Sequence, residues 1–295
     1  MTIRRFSAPA KLNLALRVVG KRGDGYHLLQ SVMVFFPLYD QLEITLTPRG
    51  LELTCVPEVT VSPEENLVFR AAAALREACG VTGGASMRLR KGIPDGAGLG
   101  GGSSDAALTL LALDRMWGLG LGPERLLSLG ESLGADVPFF LGGRSAWVAG
   151  VGERLTPLTQ CPVAEMVLVF PGVSLATGRV FQALSGSFSR QRPPLVLPME
   201  TGALARFFEN DLEAPARGLA PVIGEVSLAL RRVGALGSVM SGSGSSVFGL
   251  FADAVAARDA CARLRAGHGE WRVFSGGIFH LHPFAKEWDA GGESG

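Results

Sequence analysis

Cysteine is scarce in this sequence, and its spacing excludes two classes of protein. The 295 residues include 4 cysteines, none of them in a C-x-x-C pair. This pattern argues against a zinc site and against a small domain stapled by disulfides. We therefore expect Cys55, Cys79, Cys161 and Cys261 to be reduced, buried thiols.

Charge and long apolar runs are scarce as well. Charged residues make up 19% of the chain, and the formal net charge is +1. That balance offers no electrostatic footprint for nucleic acid or an anionic membrane. Glycine, proline or a charge interrupts every run that approaches the roughly 20 residues of a membrane helix, and the first residues lack the apolar core of a signal peptide. We expect a soluble, cytoplasmic protein with no nucleic-acid or membrane partner.

Glycine and apolar residues are abundant, with 40 glycines and 47% hydrophobic residues. The length is about twice that of one common domain, so we expect two packed domains. Apolar spacing predicts both strands and helices, which makes the fold class α+β. The predicted strands cover 12–19, 42–47, 85–89 and 167–170, and the predicted helices cover 63–79, 104–117, 123–133, 201–209, 221–233 and 252–266.

Turn residues mark the predicted boundaries. Ser62-Pro63-Glu64-Glu65 has the pattern of a capping box with proline at the first helical position, so we expect it to start the helix that precedes Gly80. A stretch with two prolines at 156–162 favours a division into domains 1–158 and 159–285. We expect a long surface loop at 190–198 and a disordered tail at 286–295.

A glycine-rich segment, residues 94–105, follows a predicted strand and opens a predicted helix. Glycines let backbone N–H groups approach a phosphate, and the helix N-terminus adds a positive dipole end. Ser103 and Ser104 can cap the helix, bind phosphate or reach Mg²⁺. Asp105 conflicts with a bare phosphate, and we expect a metal or an outward rotamer to relieve that conflict. The segment is therefore interpreted as an anion cradle.

Other interpretations of the glycine-rich segment remain. Gly96, Gly98 and Gly101 satisfy the G-x-G-x-x-G pattern of dinucleotide-binding folds, although the following order of elements is unusual for one. A plain strand-to-helix turn is also possible. A Walker loop is excluded because no lysine follows the glycines.

A serine-rich segment, residues 239–248, leads into an apolar strand near the other end of the chain. Glycine and serine favour tight turns for local reasons, so the segment alone predicts no ligand. Together with the glycine-rich segment it forms a pair that could close over one ligand.

Lys11 and Asn13 stand two residues apart on an apolar strand, so their side chains share one face. A lone lysine among leucines requires an acidic partner. The best candidate is Asp136, which enters an apolar stretch directly after a predicted helix. Asp136 is alternatively an ordinary turn or helix-end acid.

With these three segments, the sequence resembles the GHMP kinases, whose three motifs correspond to residues 9–14, 94–106 and 241–247. The resemblance implies an N-terminal ribosomal-protein-S5-like α/β domain, a C-terminal ferredoxin-like domain and an active site in the cleft between them. It also implies ATP as co-substrate together with Mg²⁺. The stretch from Gly20 to His27 resembles the members that phosphorylate an alcohol linked to cytidine diphosphate for isoprenoid precursor synthesis.

The resemblance also implies roles for individual residues. Asp136 would be the catalytic base and Lys11 its partner, an arrangement that suits phosphoryl transfer. The residues implied in ATP binding are Pro94, Gly96, Gly98, Leu99, Gly100, Gly101, Gly102, Ser103, Ser104, Asn66 and Lys91. Those implied in binding the cytidine substrate are Asn13, Tyr26, His27, Thr177 and Phe181, and the third motif contributes Gly242, Ser243 and Gly244.

The resemblance leaves open whether Mg²⁺ has a direct protein ligand, and we expect a monomer or a weak homodimer. Two other functions remain: another GHMP small-molecule kinase, and a GHMP-fold nucleotide-binding protein without turnover. His280 and His282 alternate on a predicted strand. We expect an exposed strand face there rather than a shared metal site.

Overall fold

The computed structural model describes residues 2–57, 62–184 and 195–284. Helices and strands mix along these ranges, which confirms the α+β class. The strands are β1 (Arg4–Lys21), β2 (His27–Thr47), β3 (Leu51–Val56), β4 (Gly84–Arg90), β5 (Ala146–Gly150), β6 (Arg154–Pro157), β7 (Glu165–Phe170), β8 (Glu209–Asn210), β9 (Gly237–Met240), β10 (Val247–Phe251) and β11 (Arg272–Gly277). The helices are α1 (Leu67–Ala78), α2 (Gly101–Met116), α3 (Pro123–Leu133), α4 (Val137–Leu141), α5 (Thr177–Ala183), α6 (Thr201–Phe207), α7 (Glu213–Leu219), α8 (Val222–Arg232) and α9 (Ala254–Gly267).

The first sheet is built on the long antiparallel pair of β1 and β2. Its strand order is β3-β4-β2-β1-β8, and β5 also pairs with β2 while β6 pairs with β5. Helices α1 to α4 accompany this sheet, and their apolar side chains form one core with it. Because β1 is buried along most of its length, its polar residues Lys11 and Asn13 lie inside the protein.

The second sheet is antiparallel, with the order β11-β7-β10-β9. Helix α8 precedes β9, and α9 connects β10 to β11. Four strands in this order with two crossovers give the ferredoxin-like arrangement that the resemblance implied. Apolar residues of α8, α9 and the sheet form a separate core beneath it.

The chain returns to the first sheet after entering the second. The short strand β8 pairs in parallel with β1, and Phe279 and Leu281 form bridges with Phe35 and Arg144. Residues beyond 158 therefore complete the first sheet, and the division at 158 stays a prediction. The tail at 286–295 and residues 190–194 of the predicted surface loop lie outside the described residues.

The helix at 123–133 is confirmed, because proline at its first position and glycine after its last define both ends. The expected start of α1, at Pro63, was wrong. Ser62 and Glu65 do form a capping box, but it closes a 3₁₀ turn at Pro63–Glu65. The α-helix begins after that turn at Leu67, where the side chain of Asn66 accepts a hydrogen bond from the Val68 N–H.

Two expectations about burial were also wrong. Only Cys261 is buried among the four cysteines, whereas Cys55, Cys79 and Cys161 are half-buried; all four are free thiols. Residues 279–282 form isolated bridges rather than a strand, and His282 is buried. Burial lowers the pKa of His282 to about 4. Its Nδ1 accepts a hydrogen bond from the Phe284 N–H at 3.0 Å, so this histidine belongs to the packing.

Candidate active site

The glycine-rich and serine-rich segments touch each other, as their pairing in the sequence suggested. The Ser241 hydroxyl donates to the Gly98 carbonyl at 3.0 Å, and the Ser246 N–H donates to the Ala97 carbonyl at 3.2 Å. Gly98 has a φ of +76°, and a Cβ there would lie 2.1 Å from the Ser241 carbonyl oxygen. Only glycine permits both that backbone conformation and that approach.

Lys11 lies where the two segments meet. Its side chain is buried, and its Nζ stands 3.8 Å from Oδ2 of Asp136. Its backbone N–H donates to the Leu99 carbonyl at 2.9 Å, which ties β1 to the glycine-rich segment. Burial lowers the pKa of Lys11, and the nearby carboxylate of Asp136 opposes that shift. The acidic partner that the sequence required is therefore Asp136.

Asp136 is placed to act on a molecule in solution. It directly precedes α4, at a position where an acid often caps a helix, but its side chain makes no capping hydrogen bond. The side chain is 32% exposed, whereas that of Lys11 is 4% exposed. The pair therefore consists of a buried cation and a carboxylate that is open on one side.

Asn13 contacts Lys11, the buried member of this pair, and orients its ammonium group. Its Nδ2 donates to the Ser31 hydroxyl at 2.8 Å, and the Ser31 hydroxyl donates to the Ala15 carbonyl at 2.6 Å. The Oδ1 of Asn13 accepts a hydrogen bond from Lys11 Nζ. This chain of donors fixes the amide so that its oxygen faces the ammonium group.

A cavity of about 320 Å³ opens over the Lys11–Asp136 pair. Most residues that the resemblance implied line it, so the structure brings them together. They are Lys11, Asn13, Pro94, Gly96, Gly98, Leu99, Gly100, Gly101, Gly102, Ser103, Asp136, Thr177, Phe181, Gly242 and Ser243. Six others do not line it: Tyr26, His27, Asn66, Lys91, Ser104 and Gly244.

Lys91 lies beneath the glycine-rich segment in a cluster of carboxylates. Its Nζ is 2.6 Å from Asp40 Oδ2, 3.0 Å from Asp105 Oδ2 and 3.5 Å from Asp95 Oδ1. The other oxygen of Asp40 accepts from the N–H groups of Gly92 and Ile93 at 2.6 and 2.8 Å. Burial by itself would lower the pKa of Lys91, but Asp105 and Asp40 raise it above its ordinary value. The cluster joins β2, the end of β4, the glycine-rich segment and α2.

This cluster corrects the expectation for Asp105. A metal or an outward rotamer was expected to relieve its charge, but Asp105 is buried and paired with Lys91. Burial raises the pKa of Asp105 to about 8, against the opposing effect of Lys91. The partner is 14 residues away in the sequence and is brought close only by the fold.

The structure rules out one of the three roles considered for Ser103 and Ser104, that of capping α2. The helix begins at Gly101 after Gly100, and no side chain within the described ranges caps it. Ser103 and Ser104 therefore stand inside its first turn. Ser103 lines the cavity, whereas the buried Ser104 Oγ has no hydrogen-bond partner among the described residues. The N–H groups at this helix start remain available to an anion.

A second cavity of about 780 Å³ adjoins the first and shares Asp136, Thr177 and Phe181 with it. Tyr26 and His27 line it. The His27 and Phe181 rings stack with centroids 5.0 Å apart, and burial lowers the pKa of His27. The cavity therefore offers flat aromatic faces next to the Lys11–Asp136 pair.

Tyr26 and Thr177 form two further edges of this second cavity. The Tyr26 side chain is 63% exposed, and the Arg22 guanidinium lies 5.6 Å from its ring centroid. The hydroxyls of Thr177 and Ser243 are 2.9 Å apart, which links the second cavity to the serine-rich segment. Sequence reasoning missed two supporting residues because their partners lie far away in the chain. Asp40 pairs with Lys91, and the Asn210 amide donates to the carbonyls of Met240 and Gly242.

Comparison with known proteins shows the family to which the chain belongs. The profile of the GHMP kinases N terminal domain matches residues 66–144, and that of the GHMP kinases C terminal matches residues 199–269. The 4-diphosphocytidyl-2-C-methyl-D-erythritol kinase of Paramagnetospirillum magneticum is 45% identical over 278 residues, 92% of this chain and 98% of the relative. That of Pelotomaculum thermopropionicum is 43% identical over 265 residues, covering 88% and 92%.

Solved structures agree with these relatives. A crystal structure of 4-(cytidine 5'-diphospho)-2C-methyl-D-erythritol kinase superposes with a TM-score of 0.80 at 42% identity, covering 93% of this chain and 99% of that one. Homoserine kinase from Cytophaga hutchinsonii superposes with a TM-score of 0.71 at 20% identity, covering 96% of each chain, which shows the fold alone. The chain belongs to the GHMP kinases and, within them, to the family of 4-diphosphocytidyl-2-C-methyl-D-erythritol kinases.

Proposed function

We propose that this protein transfers the γ-phosphoryl group of ATP to the 2-hydroxyl of 4-diphosphocytidyl-2-C-methyl-D-erythritol, giving the 2-phosphate and ADP. The step belongs to the non-mevalonate route to isoprenoid precursors. The observation that carries the proposal is the Lys11–Asp136 pair, which lies between a glycine-rich anion cradle and a cavity with aromatic walls. Identity of 45% over 92% of the chain supports the choice of substrate.

Binding would divide between the two cavities. The backbone of the glycine-rich segment and the first turn of α2 would hold the triphosphate, because free N–H groups and the helix dipole favour anions. Tyr26 and Phe181 would stack on the cytosine ring, and His27 would read its edge. Asn13 and Thr177 would contact the polyol and diphosphate between them. Asn66 and Lys91 lie outside the cavity lining, so any contact with ATP from them would require movement.

The chemical step needs an oriented hydroxyl and compensation of phosphate charge. Asp136 would accept the proton of the 2-hydroxyl group. The hydroxyl oxygen would form the new bond to the γ-phosphorus, and the bond between that phosphorus and the ADP oxygen would break. Lys11 would keep Asp136 ionised and in place, and would offset charge on the transferring group. The buried ammonium and the open carboxylate suit these two roles.

The residues present fit a magnesium ion that is held chiefly by the nucleotide. Among the described residues no group of three His, Cys, Asp or Glu side chains converges as a metal site. Ser103 and Asp136 both line the cavity, however, and Mg²⁺ commonly takes one or two protein oxygens and completes its shell with phosphate and water. When bound, Mg²⁺ would neutralise charge on the β- and γ-phosphate oxygens.

The same proposal includes the setting of the enzyme. We expect it to act in the cytoplasm as a monomer or weak homodimer, on small molecules rather than nucleic acid or membranes. Among the described residues, no helix combines the length and the apolar character that crossing a membrane requires.

The test is ATP turnover by the purified protein with Mg²⁺. The cytidyl compound, mevalonate, homoserine and galactose would be compared as acceptors. Phosphorylation of the cytidyl compound alone is the expected result. Turnover of another acceptor would instead favour a different GHMP kinase, and ATP binding without any turnover would favour a nucleotide-binding protein.

A further inference from the structure

A four-residue stretch, Asn210-Asp211-Leu212-Glu213, joins the strand that carries Lys11 to the serine-rich segment. Its first residue belongs to β8, which pairs in parallel with β1 at Leu16. Next, the Asp211 carboxylate accepts from the Val18 N–H of β1 at 2.8 Å. At the far end, the Glu213 carboxylate accepts from the Met240 N–H of β9 at 3.0 Å. The stretch therefore binds one strand from each sheet.

The Asn210 amide holds the serine-rich segment itself. Its Nδ2 donates to the carbonyls of Met240 and Gly242 at 2.7 and 2.8 Å. Its Oδ1 accepts from the Leu212 N–H at 2.9 Å. Both amide hydrogens are used, and two carbonyls on one side with an N–H on the other permit only this orientation. Aspartate has nearly the same shape, but its carboxylate could not donate to either carbonyl.

The α-carbon of Gly242 lies next to the catalytic lysine. A Cβ on Gly242 would lie 2.9 Å from Lys11 Nζ and 3.4 Å from Asn13 Oδ1, and its φ is +55°. The next residue, Ser243, contacts Thr177 at the edge of the substrate cavity. The position of the serine-rich segment therefore sets the packing around the Lys11 ammonium group.

We propose that Asn210 is a positioning residue for phosphoryl transfer, whose amide holds the serine-rich segment against Lys11 and so fixes the ammonium group relative to Asp136. Asn210 does not line either cavity described above, so it acts through the segment rather than through substrate. The inference rests on the proposed function for its kinetic part. The contact between Asn210 and the serine-rich segment exists in the free protein, so it can be tested without any substrate.

The kinetic experiment compares Asn210→Ala and Asn210→Asp with the wild type. We expect kcat to fall about 10- to 100-fold, because a small misplacement of a catalytic group has an effect of that size. KM for both substrates should stay within about threefold, since the phosphate cradle and the aromatic cavity are untouched. Asn210→Asp should be the slower variant, because its carboxylate faces two carbonyls. If it fails to fold, Asn210→Ala decides.

Asp253→Ala is the matched control. Asp253 also binds two backbone groups, the N–H groups of Val255 and Ala256 at 2.9 and 2.8 Å, but it caps α9 at the surface. We expect it to lower the melting temperature and leave kcat within twofold of wild type. Should Asn210→Ala behave in the same way, Asn210 is merely structural and the proposal is overturned.

Amide hydrogen exchange tests the same proposal in the free protein, whether or not the assay substrate is the right one. Exchange in a peptide covering residues 240–247 should become faster in Asn210→Ala and stay unchanged in Asp253→Ala. Unchanged exchange in Asn210→Ala would overturn the proposal. Absence of turnover by the wild type would count against the proposed function alone.

Discussion

The glycine-rich and serine-rich segments meet at Lys11, but they are held in different ways. The glycine-rich segment rests on titratable groups, with Lys91 among the carboxyl groups of Asp40, Asp95 and Asp105. The serine-rich segment is held by the neutral amide of Asn210 and by serine hydroxyls. The difference suggests that pH and charge substitutions act on the triphosphate side of the site, whereas lost hydrogen-bond donors act on the lysine side.

Lys91→Met should have the largest effect on stability. It removes the cation from a buried cluster and leaves its carboxylates uncompensated, which costs about 3–5 kcal/mol of unfolding free energy. Denaturant unfolding measures this loss. The double variant Lys91→Met with Asp40→Asn should recover part of it, because one of the buried carboxylates beside Lys91 is gone. Equal stability of the single and double variants would contradict the ionic account of this segment.

Gly98→Ala should break the contact between the two segments. A Cβ at this position would lie 2.1 Å from the Ser241 carbonyl oxygen, so turnover should fall about 100-fold. Gly118→Ala is the matched control, because Gly118 has a similar φ of +68° and nothing within 4 Å of the added Cβ. Comparable losses of turnover in both variants would show that backbone strain alone, and not the approach of the segments, is responsible.

Tyr26→Ala should leave the glycine-rich and serine-rich segments in place and weaken binding of the cytidyl compound. Loss of one stacking face should raise KM for the cytidyl compound about tenfold, with KM for ATP changed less than twofold. Steady-state kinetics with each substrate varied in turn measures both. Equal increases in the two KM values would remove Tyr26 from the cytidine site.

The pH dependence of stability should distinguish the glycine-rich segment, which rests on titratable groups, from the serine-rich segment, which is held by neutral groups. Because the pKa of Asp105 is raised in the folded protein, the folded state keeps this proton longer than the unfolded state does. Its contribution to stability is present below the ordinary carboxyl pKa and is lost as pH rises through about 8. Asp105→Asn cannot titrate, so its melting temperature should rise relative to that of the wild type as pH increases from 5 to 9.

Asn210→Ala provides the comparison for this titration. It should show the same pH dependence of the melting temperature as the wild type, since a neutral amide holds its segment. A pH-independent difference between wild type and Asp105→Asn would mean that the carboxyl is not the titrating group.

Local sequence signals predicted the parts of the fold that depend on neighbours in the chain. Pro123 and Gly134 fix both ends of α3, and the pattern after Gly80 and before Gly96 locates β4 and the cradle. Helix α4 was missed because it has five residues with a proline inside, too short for apolar periodicity to show.

The site could be predicted where a motif carries it and not where the fold assembles it. Lys11 and Asp136 were found because a buried lysine needs an acid and the motif supplied one. Asp105 was misjudged because its partner, Lys91, comes from the strand end before the glycines. Asn210 carried the cue of a polar Asn-Asp-Leu-Glu run after an apolar helix, but nothing local indicates that its amide reaches residues 240 and 242.

Single-turnover phosphoryl transfer by Asp136→Asn, with bound ATP and the cytidyl compound, shows whether Asp136 is the catalytic base. The account predicts a rate about 10²- to 10⁴-fold below wild type, because the proton acceptor is lost, with ATP affinity unchanged. Asp253→Asn, which alters a surface acid of α9, should transfer phosphate at the wild-type rate. A rate for Asp136→Asn within threefold of wild type would contradict the assignment of Asp136 as the base.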